Sequence, residues 1–267
     1  MFSLNIIFTE MRLNKRSLLI WTSILAIVIF VYLSTYTFME EMNVVEMIEG
    51  YPDIFTTGLG MGPETFGDVN VYHGGLVMLY GLLLASIYAM MLAGSMVSRD
   101  SDLGTVEFLY TRPLTRTTIL LSKAISFLVM MLFLWVIAYF FSAAIGRIWV
   151  APDEFDLGAQ LLAHLMGLLA CLAAGGVAFA LAPLFNRVQG TTSVAIGLGF
   201  AFFIFNSLGN MYEPLQFLKY LSINYYADLT GASSGQASVV GLIVLPLVFL
   251  FGVAIGIVLL NRKDFTD

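Results

Sequence analysis

The stretch Val97-Ser98-Arg99-Asp100-Ser101-Asp102-Leu103-Gly104-Thr105-Val106-Glu107-Phe108-Leu109-Tyr110-Thr111-Arg112-Pro113-Leu114-Thr115-Arg116 separates two long apolar runs. Leu103 to Tyr110 is helix-compatible and is closed by Arg112-Pro113. Proline lacks a backbone donor and pushes the residue before it out of the helical region. A new helix is expected just beyond, capped by Thr115, with Leu114 and Ile119 placed as a hydrophobic staple. The stretch therefore predicts a short rigid knob between two helices.

Working outward, the two flanking runs are part of a pattern that fills the chain. Of its 267 residues 59% are hydrophobic and 11% charged, with a mean hydropathy of +0.90. Soluble chains average roughly 45–50% apolar and about 25% charged. The expectation is an all-α membrane protein of six transmembrane helices in one domain over residues 1–267. Spans are expected at about 17–38, 74–97, 124–145, 161–185, 191–208 and 239–260, each near the roughly 20 residues that cross the hydrocarbon core. Two His and one Cys leave no room for a Cys/His metal site or a disulfide framework. Cys171 lies in an apolar run and reads as a packing residue.

The segments between spans differ in kind. Met1 to Arg16 is not built as a signal peptide, because Arg12, Lys15 and Arg16 follow its apolar residues rather than precede them. Leu4, Ile7, Phe8 and Met11 form one apolar stripe, with Glu10 and Asn14 off it, which predicts an N-terminal interfacial helix. Met39 to Tyr72 carries seven acids and no Lys or Arg, with Val44, Met47 and Ile48 spaced for a short helix. Gly167, Ala170, Ala174, Gly175 and Ala178 in the fourth span would let helices approach closely. Gly209 to Ser238 holds Leu215, Phe217, Tyr220, Tyr225 and Tyr226, too apolar for a free loop. One or two re-entrant outer helices are expected there, tolerated where they are buried against protein.

Charge sets the sidedness. With the N-terminus inside, ten of the twelve Lys and Arg fall inside, leaving only Arg147 and Lys219 outside. That bias predicts cytoplasmic termini. Twelve of the eighteen acids fall outside, so the net charge of -6 is concentrated on the outer face and argues against nucleic acid as a partner. The apolar cores of the spans contain no Asp, Glu, Lys or Arg. Ion-coupled carriers place ionisable groups there. No phosphate-binding loop, His-Glu-x-x-His or Gly-x-Ser-x-Gly occurs. The expectation is a non-catalytic membrane subunit, without a cofactor or metal of its own, powered from elsewhere.

Asp102-Leu103-Gly104-Thr105-Val106-Glu107-Phe108-Leu109, with Arg112-Pro113-Leu114-Thr115-Arg116 and Ile119 to Lys123, resembles the cytoplasmic loop of ABC-2 type transporter permeases. Ser122 stands where that family usually has Gly before the Lys. Leu218-Lys219-Tyr220-Leu221-Ser222-Ile223-Asn224-Tyr225-Tyr226 is similar to the family's segment before the last span, with Ile223 in place of the usual Pro. Tyr51-Pro52-Asp53 through Phe66 is similar to its first outer loop. The resemblance implies the permease subunit of an ABC exporter in the cell (plasma) membrane. It implies pairing with a second permease, as homo- or heterodimer, and with an ATP-binding cassette ATPase subunit that holds ATP and Mg. The coupling helix would fall at about 102–110. The ATPase-coupling residues are then Asp102, Gly104, Thr105, Glu107, Leu109, Arg112, Pro113 and Arg116. Lys123 is expected to snorkel at the start of the third span.

His164, Asn206, Tyr80, Tyr88 and Tyr139 are the polar groups within the spans that are candidates for a translocation path; interhelical hydrogen bonding is the plainer role for them. Uncharged spans point to an apolar or amphipathic cargo: a lipid, a drug or an antimicrobial peptide. The alternatives are a nucleotide-independent scaffold or channel, and a sodium efflux permease of the same family.

Overall fold

The computed structural model describes residues 2–48, 62–103, 115–150 and 154–263. Among the described residues the fold is all helical. In chain order come α1 (Leu4–Glu41), the short α2 (Val44–Ile48), α3 (Pro63–Gly67) and α4 (Val69–Tyr72), and a π-helical turn (His73–Val77). Next are α5 (Met78–Asp102), α6 (Arg116–Trp149), α7 (Leu157–Leu181) with a 3-10 turn (Ala182–Leu184), and α8 (Val188–Met211). A 3-10 segment (Glu213–Leu221), α9 (Ile223–Ala227), α10 (Leu229–Ser233) and α11 (Val239–Arg262) complete the order. Six helical stretches are long and apolar enough to cross a membrane: Leu4–Glu41, Val69–Asp102, Arg116–Trp149, Leu157–Leu184, Val188–Met211 and Val239–Arg262.

Local chemistry accounts for the helix starts. Thr115 caps α6, its hydroxyl accepting from the Thr118 amide at 3.2 Å, as its position after Pro113 predicts. Its staple partner Leu114 lies outside the described residues. Asp156 caps α7 through the Gly158 and Ala159 amides at 2.8 and 3.2 Å, and Ser238 caps α11 through Gly241.

The core is built around α7, which packs on α5, α6 and α11, while α1 lies on α6 and α5, and α8 lies on α5. The small residues singled out in the fourth span, Gly167, Ala170, Ala174, Gly175 and Ala178, are all buried. At Gly176 an added Cβ would lie 2.6 Å from the Phe249 Cα, and Gly252 sits directly against the Gly176 carbonyl. So α7 and α11 meet backbone to backbone, the close approach that small residues permit in lipid. Phe127 fills the space beside this seam, with ring centroids 5.5 Å from Phe179 and 6.1 Å from Phe249. By contrast α1, α8 and α11 leave most of their apolar surface uncovered.

Two expectations are corrected. The N-terminal helix is no separate element: α1 runs unbroken through Arg12, Lys15 and Arg16 into the first span. Neither Gly nor Pro occurs between Leu4 and Glu41, and polarity alone does not end a helix. Its inward face there is Ile7, Glu10 and Asn14, while Leu4 and Phe8 of the expected stripe point outward and are exposed. The second correction is Lys123, which does not snorkel but is buried. The short helix expected at Val44–Ile48 forms, and Gly209 to Ser238 folds into short helices, with α9 and α10 lying against α7.

Candidate functional site

At the end of the bundle where α5 runs out and α6 begins, three helices bury a charge network. On α1 the Asn14 amide donates to the Glu10 carbonyl at 2.8 Å and to its carboxylate at 3.2 Å. Arg99, in the last turn of α5, donates to Asn14 Oδ1 at 2.7 Å and lies 3.5 Å from Glu10 Oε2. From α6 the Lys123 ammonium reaches Asp100 Oδ2 at 2.6 Å, Glu10 Oε1 at 3.2 Å and the Met96 carbonyl oxygen. Two cations face two carboxylates, and the three Lys123 protons have three acceptors. Burying these charges is tolerable because each is paired and hydrogen-bonded. Full pairing is also why Lys123 turns inward rather than to the interface. Ser3 N to Ser122 Oγ at 2.8 Å and Ser126 Oγ to the Ile7 carbonyl at 3.1 Å add to the α1–α6 contact.

Both flanks of the 103–115 segment are fastened further. Asp102 accepts from the Val188 amide at the start of α8, at 3.3 Å. Arg116 donates to the carbonyls of Leu260 at 2.8 Å, Asn261 at 3.3 Å and Lys263 at 2.7 Å, satisfying the open end of α11. Lys263 donates to the Phe185 carbonyl at 3.2 Å, and burial lowers its pKa. Of the eight expected coupling residues, Asp102 and Arg116 thus sit on the two flanks. Gly104, Thr105, Glu107, Leu109, Arg112 and Pro113 lie outside the described residues.

The five candidate path residues do not converge. His164 is buried, its Nδ1 donating to the Gln160 carbonyl at 2.7 Å, and it stacks on His73 at 5.5 Å. Tyr139 stands edge-on to that ring at 5.5 Å, and Trp135 does so at 5.9 Å. His73 in turn lies 2.6 Å from Ser142 Oγ through Nε2, and its Nδ1 has no partner. Tyr80 belongs to a separate stack with Tyr32 and Phe203, at 5.9 and 6.1 Å, and Tyr88 stacks on Trp21 at 5.3 Å.

Asn206 lines an open cavity. The cavity has a volume of about 430 Å³ and lies at the end of the bundle opposite the charge network. The π-turn contributes Gly74 and Gly75, α5 Leu79 and Leu82, and α8 Asn206 and Asn210. The segment between α8 and α11 supplies Asn224, Tyr225, Tyr226 and Asp228. Gly74 is required here, since a Cβ on it would lie 2.7 Å from the Leu229 carbonyl oxygen and 2.6 Å from Ser233 Oγ. Asp228 takes a left-handed backbone (φ 39°), which its short polar side chain tolerates.

Sequence reasoning missed the charge network and most of this cavity. Glu10 and Asn14, one helical turn apart beside Ile7, were the legible trace of the first. The second is assembled from positions more than a hundred residues apart, and no spacing rule reaches them.

Six long apolar helices around one buried core define a multi-pass membrane protein. The chain belongs to the ABC-2 family of transporter proteins, whose sequence profile matches residues 4–265. The family is in general a non-catalytic membrane subunit that works with an ATPase subunit. Comparison with curated proteins gives no match.

Proposed function

We propose that this chain is the permease subunit of an ATP-driven exporter. It sits in the cell membrane with both termini on the cytoplasmic side, and forms its path with a second permease copy or sibling. A separate ATP-binding cassette subunit binds ATP and Mg and seats on the 102–110 segment. The cargo is apolar or amphipathic: a lipid, a drug or an antimicrobial peptide.

The observation that carries this reading is the fastening of both flanks of the 103–115 segment. Arg99, Asp100 and Lys123 tie them to α1, Asp102 reaches α8, and Arg116 holds the end of α11. A push on that segment is delivered to five spans, through buried ion pairs at α1 and through more exposed hydrogen bonds at α8 and α11. The sidedness rests on the gathering of Lys and Arg at this end.

The test is co-expression with the cognate ATP-binding subunit and measurement of substrate-stimulated ATP hydrolysis. Glu107→Lys is the informative variant, because Arg116 also holds the α11 terminus and its loss would confound coupling with folding. The expected outcome is at least a fivefold fall in stimulation with unchanged yield of membrane-inserted chain. Stimulation equal to that of the unaltered protein removes the coupling role.

A further inference from the structure

We infer that the outer cavity binds the head of an organic ammonium amphiphile, held beside Tyr225, Tyr226 and the Asp228 carboxylate, with its alkyl chain along Leu79, Leu82 and Val240. The inference deepens the exporter reading by naming the chemical class of its cargo.

The first ground is charge. Among the described residues, Asp228 is the single acidic side chain in the lining, and no Lys or Arg joins it. An anionic head would meet the Asp228 carboxylate, whereas an ammonium would meet its counter-ion; Lys219 lies outside the lining, over the Tyr220 and Tyr225 rings. The second ground is the aromatic face. Tyr225 and Tyr226 stand edge to face with ring centroids 5.2 Å apart. Tyrosine faces attract cations, and quaternary ammonium groups are recognised by such rings. Lys219 already uses this chemistry from beside the cavity, its ammonium 5.5 Å from the Tyr220 centroid and 5.4 Å from that of Tyr225.

The third ground is size and place. About 430 Å³ lies within the roughly 300–1,000 Å³ of small-molecule sites. One wall is the π-turn, a distortion that recurs at functional sites.

The experiment uses the purified full chain in dodecyl maltoside micelles, titrated with decyltrimethylammonium, with the melting midpoint as readout. A saturable rise is expected, absent with the chain-matched anion decanoate. Asp228→Asn keeps a residue that tolerates the left-handed backbone and caps α10, and is expected to weaken the apparent Kd about tenfold. Tyr226→Leu is expected to weaken binding similarly, while Tyr226→Phe leaves it intact. Competition by dihexanoylphosphatidylcholine assigns the head to a membrane lipid. Its failure to compete assigns the head to a free cationic amphiphile. Decanoate stabilising as strongly as the cation, or unchanged affinity in both Asp228→Asn and Tyr226→Leu, overturns the inference. Because binding is read without nucleotide, that result leaves the ATPase-coupling test standing.

Discussion

Replacing Lys123 with methionine keeps the length and apolar stem of the side chain and removes only its ammonium. In the folded protein that ammonium serves Asp100 Oδ2 at 2.6 Å, Glu10 Oε1 at 3.2 Å and the Met96 carbonyl. Glu10 is then left at 8% side-chain exposure with Arg99 at 3.5 Å and the Asn14 amide at 3.2 Å. Breaking a buried pair from one side costs about 3–5 kcal/mol, because the surviving charge stays desolvated. Asp100, a quarter exposed, rehydrates and contributes little to that sum. Glu10→Gln is milder, about 1–3 kcal/mol, since Lys123 keeps two of its three acceptors. The two changes share one contact, so the double variant Glu10→Gln/Lys123→Met should cost less than the sum of the singles by about 0.5–3 kcal/mol. Reversible unfolding in mixed micelles, followed by tryptophan fluorescence, measures all three. Lys123→Met costing below about 1 kcal/mol, or a double variant that adds to within about 0.5 kcal/mol, refutes the network as a cooperative unit.

The other predictions concern packing and caps. Gly252→Ala places a methyl against the Gly176 carbonyl, and should destabilise by about 1–3 kcal/mol in the same unfolding assay. Ser142→Ala strips the fully buried His73 ring of its partner at 2.6 Å and should cost about 1–3 kcal/mol, whereas Ser193→Ala, whose hydroxyl only returns to its own helix, should cost little. Thr115→Ala removes the α6 cap, worth about 1 kcal/mol, and should speed proteolytic cleavage next to residue 115 more than it lowers global stability.

Much of the architecture was legible because lipid-spanning helices need long apolar runs and little else. The Thr115 cap and the close-packed small residues of α7 follow from rules that act over one helical turn. Helix ends were less legible. Arg99 and Asp100 fall beyond the expected span of 74–97, yet they continue α5, because buried partners from α1 and α6 let charge persist in a helix. Lys123 read as a surface anchor for the same reason: its acceptors lie on other elements. The π-turn at His73–Val77 has no local spelling beyond Gly74 and Gly75, and α10 packs directly on Gly74. Of the path candidates only Asn206 pointed to the cavity, since Asn224 and Asp228 join it only once the segment between α8 and α11 has folded.

Where α7 crosses α11, no cushion of methyl groups lies between the two peptide chains. Sliding one along the other would drag the Gly176 carbonyl over the Gly252 α-carbon, so this pair resists shear like a welded joint. Slack in the molecule therefore has to reside elsewhere, and α8, the least buried of the six spans, is the plank with most of its surface outside the core.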